Sequence, residues 1–370
     1  MKGERALITV SLCMIVKDEE ETLPRCLASV GDLVEEVILA DTGSGDRTRQ
    51  VGVELGGKVL DFPWREDFSA ARNFAFSQAT QDYCLWLDAD DVLLPEDRRR
   101  FRQLKETLSP DTDVVMLPYH TGGDGAGRPG LTYFRERLLR REAGFVWEGA
   151  VHEAIAPAGK VLYGDAAVTH KKTGPGDPDR NLRILENVKG KRPLLPREQF
   201  YYARELAAHG REEEAAGQFR QFLDGGRGWV ENEKQACLDL AQCLGRLGRS
   251  EEALAALMQG LRYGPPSGEL CCALGDHFLE GGLLPAAVFW YEAALSRPQD
   301  SRSGGFLCPE YYGYYPCLQL CVCWYRLGDP ALARAYNRRA AAYQPDSAVC
   351  RANEAFFASG EARAASLPAR

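Results

Sequence analysis

The chain has 370 residues, 45% apolar and 26% charged, a globular balance long enough for two or three domains that excludes wholesale disorder and fibrous or collagen-like repeats. With 45 Lys and Arg against 53 Asp and Glu, its formal charge of −8 argues against a surface built to neutralise nucleic-acid phosphates or to lie on anionic lipid. The twelve cysteines are scattered, several inside apolar helical patterns, and read as buried thiols rather than a disulfide framework.

In chain order, residues 7–16 form an apolar run rich in Val, Ile and Leu that acids end at once, a strand rather than a signal peptide or membrane span. The longest later apolar stretch, residues 283–291, falls far short of the roughly 18 residues a membrane helix needs. The expectation is a chain with no transmembrane segment and a cytoplasmic location. Leu23, Cys26, Leu27 and Val30 follow at i, i+3, i+4 and i+7, one helical face. Residues 37–40 and 58–62 are short strands, Phe68, Ala71, Ala75 and Ala79 trace a second helical stripe, and residues 83–87 are a fourth strand. Continuous apolar strands alternating with helices predict a mostly parallel, Rossmann-like α/β sheet covered on both faces, with ligands at the carboxyl ends of its strands.

Residues 113–170 change to short strands around a Gly-rich loop at 122–130, read as the acceptor-facing half of the same domain, and 172–179 carry Gly-Pro linker chemistry. Beyond about residue 195 the chain turns helical and quasi-repetitive. Gly210, Gly248, Gly282 and Gly328 lie 38, 34 and 46 residues apart, and Pro265, Pro298 and Pro345 lie 33 and 47 apart, spacings that bracket the roughly 34-residue tetratricopeptide period with an insertion near 301–312. About four stacked helical hairpins are expected. The predicted division is a catalytic domain over 1–175, a linker over 176–195, an all-α tetratricopeptide-like solenoid over 196–360 and a tail over 361–370.

Asp88, Ala89, Asp90 and Asp91 directly follow the fourth strand. Two carboxylates in alternate positions there supply hard oxygen ligands too few to cage a cation alone, as where Mg²⁺ or Mn²⁺ is shared with a substrate's phosphates; an acidic turn before the helix opened by Pro95 is the plainer alternative. The second strand delivers Asp41 to the same edge, followed by glycines that admit a ligand close to the backbone, with Asp46 free to cap the next helix. Arg72 offers a fork that matches phosphate oxygens and Asn73 an amide for a ribose or sugar hydroxyl, unless Arg72 merely pairs with Glu66 or Asp67 at the surface.

Five ordered motifs across residues 11–170 resemble the family-2, GT-A-type glycosyltransferases, in particular bacterial members with tetratricopeptide repeats behind the catalytic domain. They are Met14-Ile15-Val16-Lys17-Asp18-Glu19; the run from Ala40 and Asp41 to Thr48; Trp64 with Asp67-Phe68-Ser69 and Ala71-Arg72-Asn73; the Asp88-Ala89-Asp90 group; and Val151-His152-Glu153. Many relatives have two adjacent acids where this chain has Asp41 and Thr42. The resemblance implies an inverting hexosyltransferase that takes a nucleoside diphosphate sugar, a UDP-sugar foremost. Val16, Asp18, Asp41, Arg72, Asn73 and Asp88 would bind that donor, and Asp90, assisted by Asp88 and completed by His170, would hold a divalent metal, Mn or Mg. Glu153 would be the general base. If residues 147–155 were one regular strand, however, Glu148 and His152 would share a face opposite Glu153, so a break in the strand is required for Glu153, and Glu148 or His152 is the alternative.

The expected acceptor is a peptide or protein, through a Ser or Thr hydroxyl or a Cys thiol, held by the concave surface of the repeats; a homodimer is compatible with the sequence. The alternatives are a cell-envelope saccharide acceptor and a repeat scaffold without catalysis. Cys317, Cys321 and Cys323 lack paired metal-ligand spacing and read as helix packing. For Tyr311, Tyr312, Tyr314 and Tyr315 the residues leave open a peptide-binding surface or the packing of an inserted hairpin.

Overall fold

The computed structural model describes residues 7–122, 131–171, 177–299, 304–305 and 307–365, excepting the side chains of 360–365. Most of the Gly-rich loop, residues 172–176 of the Gly-Pro stretch, parts of the 301–312 insertion and the end of the tail lie outside the described residues. The chain divides into two compact units, Met1–Glu205 and Leu206–Arg370.

The first unit opens with β1 (Val10–Val16), α1 (Leu23–Val30), β2 (Glu36–Asp41), α2 (Thr48–Glu54), β3 (Lys58–Asp61), α3 (Phe68–Ser77) and β4 (Tyr83–Trp86). Strands β3, β2, β1 and β4 pair in that order and all in parallel. The apolar runs are continuous because both faces are covered. Val10, Leu12, Met14 and Val16 of β1 join the core built with Leu23, Cys26, Leu27 and Val30 of α1, while Cys13 joins the opposite core with Ala71 and Ala75 of α3. The strand begins at Val10 rather than residue 7, since just before it Thr9 gives its amide and hydroxyl to Asp82 instead of a ladder.

Next come β5 (Asp91–Val92), α4 (Pro95–Thr107), β6 (Val114–Thr121), β7 (Leu131–Arg140), β8 (Val161–Tyr163), β9 (Val168–His170), α5 (Arg180–Lys191) and α6 (Pro196–Ala208). Among the described residues the sheet runs β3-β2-β1-β4-β7-β6-β9-β5, with β8 also on β6. The pairing turns antiparallel at β4 and β7. Chain order reverses between β1 and β4, which opens a crevice beyond their carboxyl ends, the ligand position of such sheets. Residues 147–155 are not one strand: Glu148 and Ala154 bond each other's backbone as an isolated antiparallel bridge, with positive φ at Gly149 (99°) and His152 (53°) between them. The stretch expected as linker contains α5, and α6 lies in the first unit up to Glu205.

The second unit contains α7 (Glu212–Gly225), α8 (Val230–Arg246), α9 (Ser250–Gly260), α10 (Gly268–Glu280), α11 (Leu284–Leu295), α12 (Tyr314–Arg326), α13 (Pro330–Tyr343) and α14 (Ala348–Ala365). The four repeat glycines do one job: Gly210, Gly248, Gly282 and Gly328 sit at φ 71°, 73°, 73° and 88°, the left-handed region that ends a helix at low cost only for glycine. Cys317, Cys321 and Cys323 are free thiols in the core around Tyr291 and Leu320. The aromatic run is packing too. Tyr312 hydroxyl donates to Glu269 (2.8 Å) and Tyr315 hydroxyl to Asp276 (2.8 Å), while Tyr314 bonds Ser347 (2.8 Å). Tyr311 meets the ring of Tyr315 edge-on.

Candidate functional site

Register places the site. Val16 at the end of β1 stands opposite Asp41 at the end of β2, which stands opposite Asp61 of β3. Past β1 the chain turns sharply at Asp18 (φ 55°). Its carboxylate accepts the Gly45 amide (2.7 Å), and its own amide donates to Ser44 Oγ (3.1 Å). Asp41 is buried, its carboxylate taking the Ser44 hydroxyl and the Gly43 and Ser44 amides (3.3 Å each). The side chain expected to touch a nucleoside is thus committed to shaping the 43–45 loop, whose glycines leave the backbone open. Asp46 accepts the Thr48 amide at the start of α2 (2.9 Å).

Past β4 the four-residue acidic run splits by direction. Asp88 accepts from Arg72 Nη2 (2.7 Å). The surrounding protein pushes the Asp88 pKa up, but the Arg72 guanidinium, with Arg137 behind it, more than reverses this and holds it at about 2. Asp88 is thus turned to Arg72, and Asp91, which the sequence reasoning did not select, stands instead in the group that could hold a metal. Ligand atoms of Asp90, Asp91 and His170 lie within 4.8 Å of one another, because β5 pairs with β9 and sets Asp91 directly opposite His170. The imidazole Nδ1 lies 3.3 Å from Asp90 and 3.4 Å from Asp91; hydrogen bonding to Asp90, then to Asp91, raises the His170 pKa to about 10.

Asp91 is fully buried and over-determined. Arg137 Nη1 lies 3.0 Å away, the Tyr119 hydroxyl donates at 3.0 Å and the Asp88 amide at 3.1 Å. Arg137, fully buried as well, lies over the rings of Trp86 (3.7 Å) and Tyr119 (4.4 Å). Two carboxylates and an imidazole with this geometry form a donor set suited to Mn²⁺ or Mg²⁺ with coordination left for substrate oxygens. Glu19, in the motif after β1, is another acid of the cluster that sequence reasoning passed over: burial raises its pKa, and Asp90 and Asp88 add to the rise.

Arg72 links this group to the expected base. It belongs to the buried face of α3 with Ala71 and Ala75, not to the surface with Glu66 or Asp67. Its Nε donates to Glu153 Oε1 (2.5 Å), and its guanidinium carbon lies 4.8 Å from the Trp86 ring and 5.0 Å from Trp147. Burial opposes its charge, but Asp88 and Glu153 raise its pKa further, so the fork stays cationic and serves two carboxylates. Asn73, expected at the donor, bonds backbone here: Nδ2 donates to Trp147 O (3.0 Å) and Oδ1 accepts the Trp147 amide (2.8 Å). The break in the 147–155 segment is what lets Glu153 reach Arg72. Glu148 is exposed, and His152 turns to Glu205 (3.1 Å).

A parallel-to-antiparallel sheet with such a donor set and a guanidinium-held carboxylate at its strand ends, continued into paired helices, is the arrangement of a glycosyltransferase domain followed by repeats. The chain carries a glycosyl transferase family 2 domain, whose sequence model matches residues 11–158. It is 33% identical over 309 residues to a TPR repeat-containing protein of Synechococcus elongatus, covering 80% of this chain and 68% of that protein. It is 26% identical to the SPbeta prophage-derived glycosyltransferase SunS of Bacillus subtilis over 58% of this chain, and spans about half of that relative's length (53%). It is 30% identical to the lipopolysaccharide core biosynthesis glycosyltransferase LpsC of Rhizobium meliloti, over 42% of this chain and 59% of that protein. No helix among the described residues is long and apolar enough to cross a membrane.

Proposed function

We propose that the chain moves a sugar from a nucleoside diphosphate donor, a UDP-sugar, to a Ser or Thr hydroxyl or a Cys thiol of a peptide or protein, with inversion at the anomeric carbon. The observation that carries this reading is the Asp90, Asp91 and His170 donor set, with Asp88 and Arg72 joining it to Glu153. Those three residues would hold a divalent cation, whose charge offsets the charge developing on the leaving diphosphate. Asp18 and Asp41 hold the 43–45 loop open for the nucleoside. Glu153 accepts the proton of the acceptor nucleophile as it attacks, and the Arg72 hydrogen bond fixes the carboxylate in place.

The helical unit supports a peptide or protein acceptor, since stacked helix pairs create extended surfaces suited to extended chains. A cell-envelope saccharide is the second reading, favoured by the likeness to LpsC. Twelve unpaired cysteines suit a reducing compartment, in keeping with a cytoplasmic enzyme.

The test is a panel of nucleotide sugars, with released diphosphate measured with and without Mn²⁺ or Mg²⁺. One UDP-sugar should be consumed only with cation, and Asp90→Ala should cut that rate on the order of 100-fold or more while the circular dichroism spectrum is retained. If no donor is consumed and UDP with Mn²⁺ gives no thermal stabilisation, the scaffold alternative stands instead.

A further inference from the structure

We infer that α6, assigned by periodicity to the repeats, is a positioning element of the active site: its Arg197, Tyr201 and Glu205 clamp the turn that presents Glu153. The inference rests on the reading of Glu153 as the base. The three residues follow one another at i, i+4 and i+8, one stripe of the helix, and all three meet His152, the neighbour of Glu153. Arg197 Nε donates to the His152 carbonyl (2.8 Å). The Tyr201 ring stacks on the imidazole with centroids 3.9 Å apart and planes 13° from parallel. Glu205 Oε1 lies 3.1 Å from His152 Nε2 and also accepts from Asn181 of α5 (3.1 Å).

The clamp extends to the other side of the turn. Glu198, one residue after Arg197, accepts the Ala150 amide (3.4 Å), the Leu195 amide at the start of α6 (2.9 Å) and a two-pronged Arg192 fork (2.7 Å each). Four contacts from α6 on so short a segment exceed what a cover for the core requires, since Trp147 and Ile155 already anchor its two ends in an apolar cluster.

The reason for the excess lies in the backbone. His152 has φ 53°, a left-handed conformation that is unfavourable for a residue with a Cβ and persists only where surroundings over-determine it. That turn is also what removes Glu153 from the strand alternation and brings it to Arg72 at 2.5 Å. Without the clamp the turn relaxes toward extended backbone and the carboxylate leaves the guanidinium. Tyr201, Glu205 and Arg197 therefore act through Glu153, and their loss should lower turnover rather than donor affinity.

The experiment uses the full chain, with UDP-glucose, UDP-galactose and UDP-N-acetylglucosamine assayed singly with Mn²⁺ and amide hydrogen exchange followed in parallel. Tyr201→Leu should speed exchange at Ala150 and Ala154 about tenfold, with the β1 to β4 amides unchanged as the folding control. It should lower kcat about tenfold with KM for the UDP-sugar held within about twofold. Tyr201→Phe, which keeps the stack, should recover most of the loss, and Glu205→Gln should move both readouts the same way by less. Wild-type exchange and kcat in Tyr201→Leu, or a raised KM with kcat intact, would overturn the clamp. If the wild-type chain consumes none of the three sugars, the functional reading is what fails, and exchange at Ala150 and Ala154 still decides whether α6 holds the turn.

Discussion

The two units bury opposite kinds of chemistry. At the strand ends of the first, Arg72, Asp91 and Arg137 are packed away from water, with Arg72 over Trp86 and paired with Asp88, and Arg137 over Trp86 and Tyr119 and paired with Asp91. The second buries mainly alanine, leucine, cysteine and tyrosine, and keeps ion pairs such as Arg249 with Glu213 and Arg246 with Glu212 on its outside, between one helix pair and the next. A solenoid needs only repetitive apolar contact with adjacent turns, and its surface pairs contribute little. A site that is to grip a cation and aim a base must hold unlike charges at fixed distances, and a low-dielectric setting makes each of them costly to leave alone.

That contrast gives the largest expected effect. Arg137→Met leaves the fully buried Asp91 without its guanidinium partner, and should cost about 3–5 kcal/mol in urea unfolding of the first unit. The double variant Arg137→Met with Asp91→Leu should recover much of that stability, because the penalty comes from the unpaired charge and not from lost packing, yet should not recover metal-dependent turnover. Equal losses in the single and double variants would show that the pair matters for shape alone.

A smaller effect separates the units by pH. With its folded pKa raised from the ordinary 6.5 to about 10 by Asp90 and Asp91, His170 contributes a pairing that is fully present below about pH 6.5 and fades as pH rises through about 10. A cation at the same residues must displace that proton, so its affinity runs the other way, rising by up to about tenfold for each pH unit below the His170 pKa. Thermal stabilisation by Mn²⁺ with UDP should therefore grow from pH 6 to 8.5, and His170→Gln should flatten the trend. A wild-type response independent of pH would remove His170 from the ligand set.

What sequence could foresee follows the same division. Apolar runs made β1 to β4 legible, and the acids after β4 stood out by their alternate spacing at a strand end. Asp91 was hidden by standing next to Asp90: only the pairing of β5 with β9 shows that it meets His170 as Asp90 does. Arg137 was hidden inside the alternating strand β7, where a charge reads as solvent-facing until its partner is known. The fate of α6 was invisible for a different reason, since a 3.6-residue stripe says that a helix packs and not which unit it packs in. The turn at His152 leaves no sequence signal, because positive φ is expected of glycine.

The helical unit offers the smallest and cleanest contrast, between two of its glycines. Gly210 closes α6 at φ 71°, and Gly217 lies inside α7 with no atom within 4 Å of where a Cβ would stand. The same substitution should therefore have opposite signs seven residues apart. Gly217→Ala removes backbone freedom from the unfolded chain without meeting anything, and should stabilise by up to about 1 kcal/mol. Gly210→Ala forces a Cβ into the left-handed region and should destabilise by roughly 1 kcal/mol or slightly more. Both are read from the helical signal in a urea titration, and neither should alter donor turnover. If Gly210→Ala were neutral, the positive-φ turn would not be what sets the repeat, and the spacing of the four glycines would lose its physical meaning.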